Sequence, residues 1–164
     1  MSDYVIRKLE ERDRTAVTSI FNYFVENSFA AYPETKVGDG FMDTIRGMAR
    51  GGVLFVIEIQ GTEVIGFGFL RPHQLTEAFK RACELTYFIL PEYSRQGLGI
   101  RLLKTIEDDA HALGVETLLA NISSLNEQSL NFHRKNGFIE VGRFKRIGKK
   151  FDKDFDVVWM QKFL

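Results

Sequence analysis

One stretch constrains this chain more than any other. The largely apolar run Leu85-Thr86-Tyr87-Phe88-Ile89-Leu90 stops at Pro91, and Glu92-Tyr93-Ser94-Arg95-Gln96-Gly97-Leu98-Gly99-Ile100 then opens onto a helical pattern. The spacing reads as a strand, a turn with two glycines, and a helix. A strand that hands over to a helix in this way belongs to a layered α/β domain. The turn also has a chemical consequence. The first amides of a helix lack intrahelical acceptors and carry the positive end of its dipole. Glycine allows close backbone approach and angles that other residues avoid. The amides of Arg95, Gln96, Gly97, Leu98, Gly99 and Ile100 are therefore expected to grip a phosphate-bearing cofactor. The G-x-G-x-x-G spacing of dinucleotide turns and the Gly-Lys-Ser/Thr of ATP-binding loops are both absent.

The chain has 164 residues, 45% of them hydrophobic and fifteen of them Phe, which is enough to build one core. A single domain over residues 1–164 is expected. Lys and Arg total 22 and so do Asp and Glu, which removes any bulk electrostatic case for nucleic acid or an anionic membrane. The single cysteine, Cys83, has no internal disulfide partner, and no Cys/His spacing points to a metal. Met1-Ser2-Asp3-Tyr4 lacks a signal-peptide pattern, and no apolar run approaches the ~20 residues that span a bilayer. A soluble cytoplasmic protein is expected.

Periodicity predicts a strand over residues 4–9, a helix over 13–27, an irregular segment to 39 and a short helix over 41–50. A hairpin follows, 53–59 with 63–70, then a connection over 71–81 that holds a helical turn. The strand 82–90 feeds the glycine turn, and a long helix covers 97–113. A strand over 117–122 and a helix over 126–136 come next, with Asn126 as N-cap and Gly137 at the C-terminal end. Strands 138–146 and 156–163 close the chain, joined by a lysine-rich loop. The order β-α-α-β-β-β-α-β-α-β-β implies one mixed, mostly antiparallel α/β sheet with helices on both faces.

That order, with Ser94-Arg95-Gln96-Gly97-Leu98-Gly99 after the fourth strand, resembles the GNAT superfamily of acyl-CoA-dependent N-acetyltransferases, whose turn reads Q/R-x-x-G-x-G/A. Ser94 replaces the usual first residue. The similarity is closest to the phosphinothricin acetyltransferase-like branch. Glu84-Leu85-Thr86-Tyr87 matches its Glu-x-Ser-aromatic strand pattern. Asn126, Ser129, His133, Gly137 and Phe138 match its late helix, and Gly148, Lys150, Phe151, Asp156, Val157 and Gln161 match its ending. Asp154 stands where the branch has tryptophan. The resemblance implies a GNAT-like fold, acetyl-CoA as cosubstrate with no metal, and a homodimer.

It also implies roles for residues. The backbone of Phe88, Ile89 and Leu90 would align the pantetheine arm and the thioester. An amine with a pKa of about 10 must lose a proton before it attacks. The resemblance gives that task to Glu84; a solvated strand-end glutamate is the plainer reading. His133 would ease departure of the thiolate, whose pKa is ~8.5, or else be a helix-surface histidine. Asn126 and Ser129 read both as a helix cap and as contacts to CoA, with Asn121 a weaker candidate of that kind. Cys83, beside Glu84, reads as a packing residue rather than a nucleophile.

Phe29 and Tyr32 are expected to line the acceptor pocket or to pack a loop. Arg71 and His73 would meet an acceptor carboxylate or else lie in a solvated loop. The basic stretch 145–153 reads as solvated. The leading expectation is acetyl transfer to the primary amine of a small molecule of the phosphinothricin, methionine sulfone or methionine sulfoximine type. A protein lysine or N-terminal amine is the second, and a non-catalytic acyl-CoA-binding module the third.

Overall fold

The computed structural model describes residues 3–164. Seven strands form one sheet in the order β1-β2-β3-β4-β5-β7-β6. In chain order the elements are β1 (Tyr4–Lys8), α1 (Arg14–Asn27), α2 (Phe41–Met48), β2 (Leu54–Ile59), β3 (Glu63–Pro72), β4 (Ala82–Ile89), α3 (Leu98–Ala112), β5 (Thr117–Ser123), α4 (Glu127–Lys135), β6 (Ile139–Lys150) and β7 (Lys153–Phe163). The element order matches that expected from periodicity. Among the described residues no helix is long and apolar enough to cross a membrane.

The sheet is covered on both faces because its central strands are apolar on both. On one face Val17, Ile20 and Val25 of α1 and Ile45 of α2 pack on Leu54, Val56, Phe67, Phe69 and Phe88. On the other, Leu98, Leu102, Leu103 and Ile106 of α3 and Leu130 of α4 pack on Phe55, Ile57, Ile65, Leu85, Leu118 and Met160. Alternation along β4 sends Leu85 and Tyr87 to the α3/α4 side and Phe88 to the α1/α2 side.

All strand pairs are antiparallel except β4 and β5. These two run parallel and pair only over Ala82–Glu84 against Thr117–Leu119. Beyond Glu84 they part, while β4 stays bonded to β3 along its full length. The gap opens in the middle of the sheet, at the carboxyl ends of two parallel strands, where an α/β sheet offers a natural ligand cleft.

Two segments differ from expectation. β3 runs on to Pro72, so Arg71 is a strand residue directly opposite Glu84 and not part of a loop. The lysine-rich stretch is a hairpin: β6 and β7 meet at a two-residue turn, Phe151-Asp152, with φ of 49° and 59°. β6 lies at the sheet edge and is exposed along most of its length, so it lacks the apolar alternation that marks a strand in sequence. Gly148 is required there, because a Cβ would lie 2.2 Å from the Phe155 ring.

Candidate active site

The site has two parts, the glycine turn and the cleft between β4 and β5. After β4 the chain makes a single 3-10 turn over Pro91–Tyr93, and Ser94 closes it by donating its hydroxyl to the Pro91 carbonyl (2.6 Å). Arg95 (φ 64°) and Gly97 (φ 78°) are both left-handed. This pair of angles turns successive amides toward one side, as in anion-binding nests. Among the described residues, the amides from Arg95 to Ile100 donate to no protein acceptor. Apart from its own chain neighbours, nothing lies within 4 Å of where a Gly97 Cβ would be, so the bend is open on that side. Gly99 serves packing instead: its Cβ would come 3.1 Å from Phe132 of α4.

The predicted turn residues therefore divide. Arg95, Gln96 and Gly97 are exposed, and Leu98 buries its side chain and offers only its amide. The Gln96 carbonyl oxygen accepts from the Tyr4 hydroxyl (2.8 Å), which ties the turn to β1. Ile100 is exposed on the first turn of α3. Ile89 packs in the α3/α4 core, and Leu90 donates its amide to the Ile65 carbonyl (3.0 Å). Neither lines the cleft, whereas Phe88 does.

The cleft holds a cavity of about 240 Å³. β4 contributes Leu85, Thr86, Tyr87 and Phe88, and β5 contributes Ala120, Asn121, Ile122 and Ser123. Asn126, Ser129 and His133 close it from the α4 side, and Arg71 from β3. Phe21 of α1 and the segment Ala30, Ala31, Tyr32 and Pro33 supply the remaining wall. Tyr32 donates its hydroxyl to Asn121 Oδ1 (3.1 Å), and burial pushes that hydroxyl up to about 12. Phe29 does not line the cavity, contrary to expectation. Its ring packs edge-on against Phe151 and Phe155 of the β6–β7 hairpin.

Glu84 is buried, which removes the solvated reading. Arg71 donates to Oε2, and His73 Nδ1 lies 2.9 Å from Oε1. Opposite charges set directly across a strand pair make this arrangement. His73 therefore faces Glu84 and not the cavity. Glu84 is also outside the cavity lining, with Arg71 between it and the open space.

His133 is buried and lines the cavity. Its Nδ1 lies 2.7 Å from the Ser129 carbonyl oxygen and 3.2 Å from Ser129 Oγ. A carbonyl can only accept, so Nδ1 carries the ring proton. Nε2 is then an acceptor, and the Tyr87 hydroxyl donates to it across 2.9 Å. Burial lowers the imidazole to about 4, so it is neutral near pH 7. Burial also raises the Tyr87 hydroxyl well above its ordinary range. The Tyr87 hydroxyl and the His133 imidazole thus form a hydrogen-bonded pair, both members of which line the cavity. Sequence reasoning missed Tyr87: it sat in the strand motif with no partner in view.

Asn126 acts as the N-cap, its Oδ1 accepting from the Ser129 amide (3.2 Å), while both side chains also border the cavity. Cys83 is buried in the α3/α4 core, and desolvation raises its thiol, opposed in part by Arg50 and reinforced to a smaller extent by Glu84. It is a packing residue.

A strand-to-helix turn with free amides beside a cleft at splayed parallel strands defines an acyl-CoA transferase site. The chain belongs to the Acetyltransferase (GNAT) family, whose model matches residues 17–138. It is accordingly an N-acetyltransferase dependent on acetyl-CoA. Over 161 residues it is 29% identical to the L-methionine sulfoximine/L-methionine sulfone acetyltransferase of Pseudomonas aeruginosa, covering 95% of this chain and 92% of that one. The crystal structure of a GNAT superfamily phosphinothricin acetyltransferase from Sinorhizobium meliloti in complex with AcCoA superposes with a TM-score of 0.90 at 27% identity, covering 100% of this chain and 89% of that one. The structure of the ribosomal-protein-alanine N-acetyltransferase from Brucella melitensis gives 0.88 at 32% identity, with 98% and 99% covered.

Proposed function

We propose that this enzyme acetylates the primary amine of a small, amino-acid-like acceptor. The observation that carries the reading is Arg71, a guanidinium in the cavity wall backed by a buried carboxylate. A bidentate cation in a partly closed cavity suits an acceptor that bears its own carboxylate. The names of the Pseudomonas aeruginosa and Sinorhizobium meliloti relatives, both acting on such compounds, support it.

In this reading the amides from Arg95 to Ile100 hold the CoA diphosphate. The free edge of β4, near Phe88 to Leu90, aligns the pantetheine arm, and Asn126 and Ser129 flank it. The protein contributes chiefly proximity and proton handling. An acceptor carboxylate draws the Arg71 guanidinium off Glu84, which uncovers Glu84 Oε2 to the cavity so that it takes the ammonium proton through an intervening water. The second proton leaves the nitrogen as the new amide bond forms. Tyr87 takes it while passing its own to His133 Nε2. The reverse movement delivers one proton to the departing sulfur, and both side chains return to their starting state. Phe29 and His73 act indirectly, Phe29 by packing the acceptor loop and His73 by holding Glu84.

The exposed apolar residues of β6, among them Ile139, Phe144 and Ile147, favour a homodimer that covers this edge. Reduced Cys83 and the absence of an apolar spanning helix among the described residues fit a cytoplasmic location.

A second reading, acetylation of a protein amine, is favoured by the Brucella melitensis neighbour. Thiol release from acetyl-CoA, measured over a panel of free amino acids, their methyl esters and peptides, tests both. Turnover of free amino acids but not their esters is expected. Turnover of peptides alone would overturn the first reading.

A further inference from the structure

Lys150 is fully buried, yet among the described residues no carboxylate is bonded to it. It sits at the last position of β6, and its Nζ crosses to a segment more than a hundred residues away. There it donates to the carbonyls of Ser28 (2.7 Å) and Ala31 (2.6 Å). The Phe151 ring lies 4.7 Å from the same ammonium. Two carbonyl dipoles and an aromatic face meet the needs of a buried cation without neutralising it. From the other side the Phe151 amide donates to Glu34 Oε1 (3.1 Å). Phe155, on β7, stacks on Tyr32 with ring centroids 5.6 Å apart.

The segment held this way is the acceptor-side wall, since Ala30, Ala31, Tyr32 and Pro33 line the cavity. It has no regular structure, and its few own tethers include the Ser28 hydroxyl on the Phe24 carbonyl (2.9 Å) and Ser28 Oγ accepting from the Ala30 amide (3.1 Å). A loop without ladder hydrogen bonds opens readily unless something pins it.

We infer that Lys150 is a positioning residue for the acceptor: its ammonium pins the loop over residues 28–33 against the cavity, and so sets the shape that recognises the amine. The inference rests on the acetyltransferase reading for its kinetic consequence but not for its structural one. The hydrogen bonds of Lys150 reach the cleft wall only at Ala31, on the acceptor side, and none reaches the turn, so cosubstrate binding is independent of it.

Lys150→Met keeps the length and apolar bulk of the side chain and removes the ammonium. Hydrogen–deuterium exchange, followed by mass spectrometry without substrates, is expected to speed up over residues 28–34 and to remain unchanged over β2–β4. Steady-state kinetics are expected to show acceptor KM rising about tenfold or more, as the loss of two charge-assisted hydrogen bonds implies, with kcat and the KM for acetyl-CoA near wild type. Glu34→Ala loosens the same tether from the surface, where folding is not at risk, and should move both readouts the same way by less. Wild-type exchange over 28–34 in either folded variant overturns the inference. So does exchange that rises evenly through the chain, with both KM values shifting together. Faster local exchange in a protein that turns over no amine would leave the pin standing and remove the acceptor reading instead.

Discussion

The Tyr87 hydroxyl donates to His133 Nε2 across 2.9 Å, and the Ser129 carbonyl holds the opposite ring nitrogen at 2.7 Å. This imidazole is locked in one neutral tautomer, with its acceptor nitrogen turned toward a cavity-lining hydroxyl. Its pKa is about 4, below the ordinary 6.5, because burial penalises the charged form. The unfolded chain therefore binds the proton first as pH falls. The stabilisation is present in full above about 6.5 and is lost as pH falls toward 4, a total of about 3 kcal/mol. Urea unfolding at pH 7 and pH 4.5 should show that loss, and His133→Gln should reduce it. An imidazole that titrates near 6.5 by NMR would contradict the assignment.

Tyr87→Phe keeps the ring stacked on His133 but removes the hydroxyl. General acid–base assistance of this kind is worth about 10²-fold or more, and kcat is expected to fall by that amount. Acetyl-CoA affinity, measured by calorimetry, should change little. An acetyl thioester with a more acidic thiol needs less help from a proton donor, so the deficit should shrink with it. An equal deficit with both donors would argue for a packing defect.

Arg71→Met removes the cation facing the cavity and leaves Glu84 buried beside His73 alone. Acceptor KM should rise by about 10²-fold, the loss of a charged bidentate contact. Stability should drop by about 2 kcal/mol, because a buried carboxylate has lost its main partner. Acetyl-CoA affinity should hold. An unchanged acceptor KM would remove Arg71 from the acceptor site.

Gly97→Ala tests the turn. The position has φ of 78°, and no neighbour stands within 4 Å of the added methyl. Any effect is thus conformational, a strain of about 1 kcal/mol that relaxes by moving the amides. Weaker acetyl-CoA binding with little change in acceptor KM is expected. Unaltered affinity would mean that these amides do not hold the diphosphate.

Much of the site was legible before the fold. The turn at Gly97 and Gly99 and the cap at Asn126 follow from local pattern: a strand that ends, a glycine that permits an angle, a side chain that reaches its own helix; the burial of Glu84, near the start of its strand, did not. The tip of the β6–β7 hairpin, residues 147–155, was not legible, because an edge strand that stays wet carries no apolar period there. Phe29 was misassigned for a related reason. Aromatic character marks it for burial but does not say against which surface, and its neighbours Phe151 and Phe155 come from the far end of the chain.

Order of elements, covering of both sheet faces and the glycine turn were determined by the sequence alone, since propensity, periodicity and glycine geometry act over a few residues. Only the tertiary structure decided who partners whom. Arg71 and His73 meet Glu84 through strand register, Tyr87 meets His133 through the seating of α4 on β4, and Lys150 reaches Ser28 and Ala31 from the end of β6. Each is a polar group whose burial must be satisfied by another far off in the chain, and that match is set by packing, which local pattern does not encode.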